Sequence, residues 1–169
     1  MVEESVANRR TTAKPGAEVA GRTATDPVIS TGVDLCSIKR IGAAYRRQGE
    51  RFLKRVFTRR ELDYCARYRG HRYLAALAVR FAAKEALAKA LGTGLWGRTG
   101  LAFQEIEVIS NEQGKPSLYL KGKAEEVFRK KGGINLSLSL THEQDMALAV
   151  CQLLCAQPAQ SLNGEQHEA

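Results

Sequence analysis

The chain reads Arg-Phe-Ala-Ala-Lys-Glu-Ala-Leu-Ala-Lys-Ala-Leu-Gly-Thr-Gly at residues 80–94. From residue 73 to residue 91 almost every side chain favours a helix, and Gly92-Thr-Gly94 is a typical helix-ending sequence. With successive side chains about 100° apart, one side of this helix is apolar. That apolar stripe contains Leu74, Leu77, Ala78, Phe81 and Ala88. The sequence therefore predicts one long helix that packs against the rest of the protein.

Glu85 falls inside the apolar stripe, with Lys89 one turn later and with Arg80 and Lys84 on the adjoining face. A carboxylate on a buried face is costly unless a protein cation or a metal ion compensates it. A Glu85–Lys89 helix pair, worth about 0.2–0.5 kcal/mol, accounts for the spacing. A site for a metal ion and a phosphorylated ligand accounts for it equally well. The residues alone leave both interpretations open.

Composition and length limit the class of protein. At 169 residues the chain suits one domain with its own hydrophobic core. No apolar run approaches the roughly 20 residues of a membrane-spanning helix, and no signal-peptide pattern is present. The cysteines form no Cys-x-x-Cys pair, so reduced structural thiols and a cytoplasmic location are expected. These cysteines are Cys36, Cys65, Cys151 and Cys155.

Positive charge is concentrated in one segment. The formal net charge of the chain is +8. Residues 36–72 carry twelve lysines and arginines against three acidic residues, a local net charge of +9. A basic surface of this density indicates an acidic partner. Charge alone does not distinguish nucleic acid, an anionic membrane and an acidic protein.

The run at residues 80–94 resembles the central motif of a known enzyme family, the small holo-[acyl-carrier-protein] synthases of the 4'-phosphopantetheinyl transferase superfamily. That motif reads roughly Arg-Phe-Ala-x-Lys-Glu-Ala-x-x-Lys-Ala-x-Gly-Thr-Gly, and this chain fits it. The resemblance extends over about residues 31–152. It includes shorter matches at Gly32-Val33-Asp34, Phe57-Thr58-Arg59-Arg60-Glu61, Gly114-Lys115-Pro116 and Thr141-His142.

The order of apolar periodicities predicts an α+β fold, with a long buried helix packed on an antiparallel sheet in a single domain over residues 27–155. A strand at residues 27–35 precedes two helices that break near Gln48-Gly49. Thr58 and Glu61 then form a capping box for a third helix. Two hairpins flank a short helix after the long one. Residues 1–26 and 156–169 are expected to be flexible tails.

Asp34 has two interpretations. Because it follows a predicted strand and precedes a helical pattern, the residues alone favour a helix N-cap. The resemblance implies instead that Asp34 is a metal ligand and that Glu85 is the second one. Two carboxylates, phosphate oxygens and water together complete the octahedron that Mg²⁺ demands.

The resemblance also implies a coenzyme A site. It makes Glu85 and Lys89 catalytic, with Lys89 stabilising charge on the phosphates or the leaving group. The base is then either Glu85 or a metal-bound water. His142, expected in a turn, matches the family's histidine, although a histidine in a turn is also typical of plain polar surface. The implied coenzyme A contacts are Arg80, Lys84, Lys89, Gly92 and His142.

Three arginines of the basic segment match positions where the family docks the acidic recognition helix of acyl carrier protein. They are Arg40, Arg51 and Arg55. A solvated helix face would also be rich in arginine. The aromatic residues of the segment have the spacing of helix packing rather than of a base-stacking platform, and no nucleic-acid-binding signature is present. Nucleic acid is therefore the less favoured partner.

The implied reaction transfers 4'-phosphopantetheine from coenzyme A to a serine of apo acyl carrier protein and releases adenosine 3',5'-bisphosphate. It would depend on Mg²⁺ and support fatty-acid or polyketide biosynthesis. The resemblance further implies a homotrimer with active sites between subunits, and no membrane association. A basic nucleic-acid-binding module without catalysis is the alternative. The presence of Asp34, Glu85 and Lys89 argues against a non-catalytic relative of the family.

Overall fold

The computed structural model describes residues 27–95 and 100–156. The predicted tails lie outside these residues except for Ala156, as does most of the predicted loop at residues 95–100. A short 3-10 helix, Phe103–Glu105, precedes the second half of the fold. The main elements in chain order are β1 (Val28–Ser37), α1 (Ile38–Gln48), α2 (Glu50–Val56), α3 (Arg59–Cys65), α4 (Gly70–Leu91), β2 (Ile106–Ser110), β3 (Pro116–Leu120), α5 (Gly122–Lys130), β4 (Gly133–Glu143) and β5 (Met146–Cys155).

The strands form two antiparallel units. One is a three-stranded sheet in the order β1-β5-β4, and the other is the β2-β3 hairpin. In the larger sheet Asp34 pairs with Ala149, which pairs in turn with Leu140 on the far strand. Helix α4 packs on this sheet, and the predicted α+β architecture is confirmed. Among the described residues no helix is long and apolar enough to cross a bilayer.

Helix α4 is buried on most of its sides. It begins at Gly70, one turn before the predicted start, and ends at Leu91 as expected. The prediction of a single apolar stripe was incomplete, because the sheet covers one side of the helix while α1 and α3 cover others. Alanines make this possible, since a small side chain lets neighbouring backbones approach closely. The buried alanines of α4 are Ala75, Ala76, Ala78, Ala82, Ala83, Ala86, Ala88 and Ala90.

The closest approach of β1 to α4 occurs at Gly32. A Cβ there would overlap the carbonyl oxygen of Ala86 and lie 2.6 Å from the backbone nitrogen of Ala90. Two residues earlier, the Ser30 hydroxyl donates to the Ala90 carbonyl at 2.6 Å. These contacts set the distance between the strand that carries Asp34 and the helix that carries Glu85.

The helix caps correct one interpretation and confirm another. Ser37, not Asp34, is the N-cap of α1, and its hydroxyl accepts a hydrogen bond from the backbone N–H of Arg40. Asp34 lies inside β1, so the N-cap interpretation of Asp34 is wrong. The predicted capping box is present: the Thr58 hydroxyl accepts from the Glu61 N–H, and a Glu61 carboxylate oxygen accepts from the Thr58 N–H.

Candidate active site

Asp34 and Lys89 meet across the interface between β1 and α4. The Lys89 ammonium donates to Oδ1 of Asp34 at 2.8 Å and to the Val33 carbonyl at 2.9 Å. The Asp34 side chain is 15% exposed, whereas that of Lys89 is 53% exposed. The ion pair therefore has one sheltered partner and one partner that is free to move into solvent.

Glu85 and Arg40 lie in the same neighbourhood. Burial raises the pKa of the Cys36 thiol to about 11; the charge of Arg40 opposes the rise, and Asp34 and Glu85 add to it. Glu85 also lies one helical turn before Lys89, so both side chains leave the same side of α4. We refer to Asp34, Glu85 and Lys89 as the Asp34 cluster.

The donor set of the Asp34 cluster fits one kind of metal site. Asp34 and Glu85 supply carboxylate oxygens, the ligands that Mg²⁺ prefers. Among the described residues no group of three or more His, Cys, Asp or Glu side chains is arranged around one ion. A fully protein-ligated site of the zinc type is therefore not formed in this part of the chain. The residues suit a hard cation whose shell is completed by substrate phosphate and water.

A second polar site lies beside the first half of α4. A cavity of about 290 Å³ is lined by Tyr64, Tyr68, Arg72, Ala76, Arg80 and His142. The guanidinium of Arg80 lies 4.1 Å from the centroid of the Tyr64 ring, and one of its nitrogens donates to the Ala76 carbonyl at 3.0 Å. Its Nε is buried and has no hydrogen-bond partner among the described residues. We refer to this site as the Arg80 cavity.

Comparison with known proteins identifies the family. The family model of the 4'-phosphopantetheinyl transferase superfamily matches residues 30–151. The chain belongs to this superfamily. The recognition made from residues 80–94 is confirmed, as is the prediction of an enzyme of the transferase class.

Named relatives and solved structures agree with this assignment. The chain is 43% identical to holo-[acyl-carrier-protein] synthase of Geotalea daltonii over 127 residues, which are 75% of this chain and 98% of that protein. It is similar to the crystal structure of the Neisseria meningitidis enzyme, with a TM-score of 0.64, 34% identity, and coverage of 73% of this chain and 96% of that one. The Chronobacterium ammoniagenes ACPS–CoA complex gives a TM-score of 0.65 and 32% identity over 76% of this chain and 98% of that one.

In this phosphopantetheinyl transferase four of the predicted site residues fall into two pairs on opposite sides of α4. Arg80 and Lys89 are nine residues apart, about two and a half turns, so their side chains leave opposite sides of the helix. Asp34 lies on one edge strand of the sheet and His142 on the other. Arg80 and His142 do come together, as do Asp34 and Lys89, but buried α4 separates the two pairs.

Lys84 does not belong to either group. Its side chain is fully buried, and its ammonium donates to Glu61 Oε2 at 2.7 Å, to the Val56 carbonyl at 2.7 Å and to the Phe103 carbonyl at 3.0 Å. Burial lowers the pKa of Lys84, and the nearby Glu61 carboxylate opposes that shift. All three protons of the ammonium are engaged inside the protein. Lys84 therefore has no donor left for a phosphate, and its prediction as a coenzyme A contact is wrong.

The local structure of His142 differs from the prediction, whereas that of Gly92 agrees with it. His142 was expected in a turn, but it is an exposed residue of β4 paired with Ala147. The turn falls at Gln144 and Asp145, because Gln144 adopts a positive φ of 50°. Gly92 ends α4 in the left-handed conformation, with φ 72°, as its helix-ending pattern predicted. A residue with a Cβ would be strained there.

The basic segment forms a groove between α1 and α2. Arg40 and Arg55 line it, and Arg51 is exposed on α2 without lining it. The groove, about 320 Å³ in volume, has an apolar floor and a basic rim. Its lining residues are Arg40, Ile41, Ala44, Arg47, Gln48, Phe52, Arg55, Val56 and Phe81.

Several residues of these sites were not predicted from the sequence. Tyr64, Tyr68 and Arg72 line the Arg80 cavity, and Arg47 lines the groove between α1 and α2. The helical spacing of Tyr64 and Tyr68, four residues apart, places them on one face of α3 and its continuation. The spacing of Arg40 and Arg47, seven residues apart, likewise places both on one face of α1. These spacings were the sequence signal from which the additional lining residues could have been predicted.

Proposed function

We propose that this enzyme transfers 4'-phosphopantetheine from coenzyme A to a serine of an apo acyl carrier protein, releasing adenosine 3',5'-bisphosphate. The observation that carries the proposal is the Asp34 cluster, in which Asp34 on β1 pairs with Lys89 on α4 and Glu85 lies one helical turn before Lys89. Coenzyme A is bound by the Chronobacterium ammoniagenes relative. A place in fatty-acid or polyketide biosynthesis follows from a carrier-protein substrate.

The chemistry needs charge neutralisation and alignment more than covalent help. Attack of a serine hydroxyl on a diphosphate gathers negative charge on the phosphate oxygens and the leaving group. Asp34 and Glu85 would hold Mg²⁺, which supplies that neutralisation when bound. Once the Lys89 ammonium separates from Asp34, it can stabilise the negative charge that develops on the leaving oxygen. The serine proton passes to Glu85 or to a neighbouring water.

The Arg80 cavity suits the phosphorylated nucleotide end of coenzyme A. A buried guanidinium nitrogen without a partner costs free energy until an acceptor arrives. A phosphate oxygen is a strong acceptor, and His142 and Arg72 add donors to the same cavity. Tyr64 and Tyr68 give the cavity aromatic surface beside these cations.

The Arg80 cavity and the Asp34 cluster of a single chain face away from each other, because Arg80 and Lys89 leave opposite sides of α4. We therefore propose that each active site takes the Asp34 cluster from one subunit and the Arg80 cavity from its neighbour. In a cyclic trimer the same head-to-tail contact is repeated three times, and the ring closes. In that assembly every Asp34 cluster faces an Arg80 cavity.

The outer face of the three-stranded sheet supports self-association. On β1 the side chains of Ile29, Val33 and Leu35 are 64%, 46% and 57% exposed. They pair across to Leu154, Val150 and Leu148 on β5, and the polar Thr31–Gln152 pair separates the first of these apolar pairs from the other two. Exposed apolar side chains grouped on one face of a sheet are typical of an interface. Because the active site is divided between subunits, we expect a second copy of this chain to cover this apolar face.

The groove between α1 and α2 suits the acidic carrier protein. Its arginines surround an apolar floor that can take apolar side chains of a helix. A nucleic-acid-binding module is disfavoured, because Phe52 and Phe57 are buried and pack edge to face at 6.0 Å rather than facing solvent. Four free, buried cysteines suit the reducing cytoplasm.

The direct test incubates the protein with coenzyme A, Mg²⁺ and an apo acyl carrier protein. We expect the carrier protein to gain one 4'-phosphopantetheine group. Binding of duplex or single-stranded nucleic acid, without modification of any carrier protein, would favour the alternative.

A further inference from the structure

Lys84 and Glu61 form an ion pair that is closed to solvent. Both side chains are 0% exposed, and the ammonium lies 2.7 Å from Oε2 of Glu61. The second carboxylate oxygen of Glu61 accepts from the Val108 N–H at 2.9 Å. The pair therefore links α4, the start of α3 and strand β2 in one connected network.

The same network holds the C-terminal end of α2. Lys84 donates to the carbonyl of Val56, the last residue of that helix. Gln104 reaches the same end independently, because its side-chain amide donates to the carbonyls of Lys54 and Phe57, each at 2.7 Å. The last carbonyls of a helix have no partners within the helix, so these donors fix where α2 ends.

The end of α2 is also a wall of the basic groove. Arg55 and Val56 line the groove from α2, and Phe81 lines it from α4, one turn before Lys84. Glu85 is the next residue along α4. Any movement of the end of α2 away from α4 therefore changes the distance between the groove and the Asp34 cluster.

We propose that Lys84, with Glu61 and Gln104, is a positioning residue that holds the carrier-protein groove in register with the Asp34 cluster. This inference rests on the proposed function for the identity of the groove's occupant. Lys84 touches no reacting group, and it acts through the position of α2. Stability alone is a weak reason for a buried pair, because apolar residues of similar volume often replace such pairs without loss.

Two variants separate this role from a structural one. Gln104→Met removes both side-chain donors to α2 at a partly exposed site, so the fold is expected to survive. Lys84→Met with Glu61→Gln removes the buried charges together and avoids an unpaired buried carboxylate. Leu136→Ala, in β4 away from the groove and from this network, serves as a control that loses stability without touching α2. Steady-state kinetics and hydrogen exchange of residues 50–57 are measured for all three.

We expect Gln104→Met and the double variant to raise the KM for apo carrier protein by at least about threefold, with the KM for coenzyme A unchanged. Hydrogen exchange should quicken in residues 50–57 and not in α5. Leu136→Ala should lower the melting temperature with both KM values unchanged. If the α2 variants only lose stability, like the control, the positioning role is refuted. If the wild type transfers nothing, the proposed function fails. In that case hydrogen exchange still tests the role of Lys84 and Gln104 in holding α2, and unchanged exchange of residues 50–57 in the variants would refute it.

Discussion

The ammonium of Lys89 lies 2.8 Å from Oδ1 of Asp34, although 55 residues separate the two in the chain. Lys89 thus forms an ion pair with a carboxylate that a metal ion would need. Its side chain is 53% exposed, so it has room to move away from Asp34. Mg²⁺ and the phosphates of coenzyme A would each take one partner of this pair. Their binding is therefore expected to be mutually favourable, because each frees a group that the other uses.

Lys89→Met tests this exchange. Without coenzyme A the variant should bind Mn²⁺, read by electron paramagnetic resonance, at least as tightly as the wild type, because the competing cation is gone. With coenzyme A present, the wild type should gain affinity for Mn²⁺ and the variant should gain much less. Transfer by the variant should fall at least about tenfold, equivalent to about 1.4 kcal/mol. Lys39→Met, which removes a surface ion pair with Asp145, is the control and should change none of these values. Equal metal affinity gains in both proteins would exclude the exchange.

Gly32→Ala is expected to destabilise the fold by about 2 kcal/mol or more, because a backbone carbonyl cannot move aside for the added methyl group. Gly42→Ala is a matched control, since a Cβ there meets the flexible end of Leu74 at 3.0 Å. It also adds helix propensity in α1, so its effect should lie within about 1 kcal/mol of zero. Urea unfolding of both variants provides the comparison. Equal loss in both would show that the β1–α4 approach is not as tight as described.

Charge reversal in the basic groove should act on carrier-protein binding. Arg47→Glu lies on the rim, so we expect a several-fold higher KM for carrier protein, an unchanged KM for coenzyme A, and weaker salt dependence than the wild type. The charges of Arg40, Asp34 and Glu85 all act on the Cys36 thiol, so Arg40→Glu should also lower kcat. Lys130→Glu in α5 controls for net charge. A matching rise in KM for the Lys130 variant would mean that only overall charge matters.

Mixed oligomers test the division of the active site between subunits. Lys89→Met and His142→Ala each damage a different half of the proposed site. When the two variants are co-expressed, about a quarter of the sites in a cyclic assembly would combine an intact Lys89 with an intact His142 from the neighbour. Activity should then exceed that of either variant alone. If the mixture is no more active than its components, each chain carries its own complete site.

Helix α4, its C-terminal glycine and the capping box at Thr58 were predictable from sequence, because each depends on local spacing. The resemblance also placed Asp34 and Lys89 in one site, and the two side chains are in contact. The role of Lys84 was not predictable, since its partners Val56, Glu61 and Phe103 come from three separate segments. A lysine beside the glutamate of the motif gives the same local pattern whether it faces solvent or the core. Only the packing of α2 and α3 against α4 determines whether this lysine faces solvent or the core.

The most direct test of the central claim is intact mass spectrometry of an apo acyl carrier protein after incubation with coenzyme A, Mg²⁺ and this enzyme. We predict complete conversion by the wild type and none by Asp34→Asn, which should keep the wild-type circular dichroism spectrum because the amide has the size and shape of the carboxylate it replaces. The mass gained should equal one 4'-phosphopantetheine group. An Asp34→Asn variant that converts the carrier protein at the wild-type rate in saturating Mg²⁺ would contradict the account.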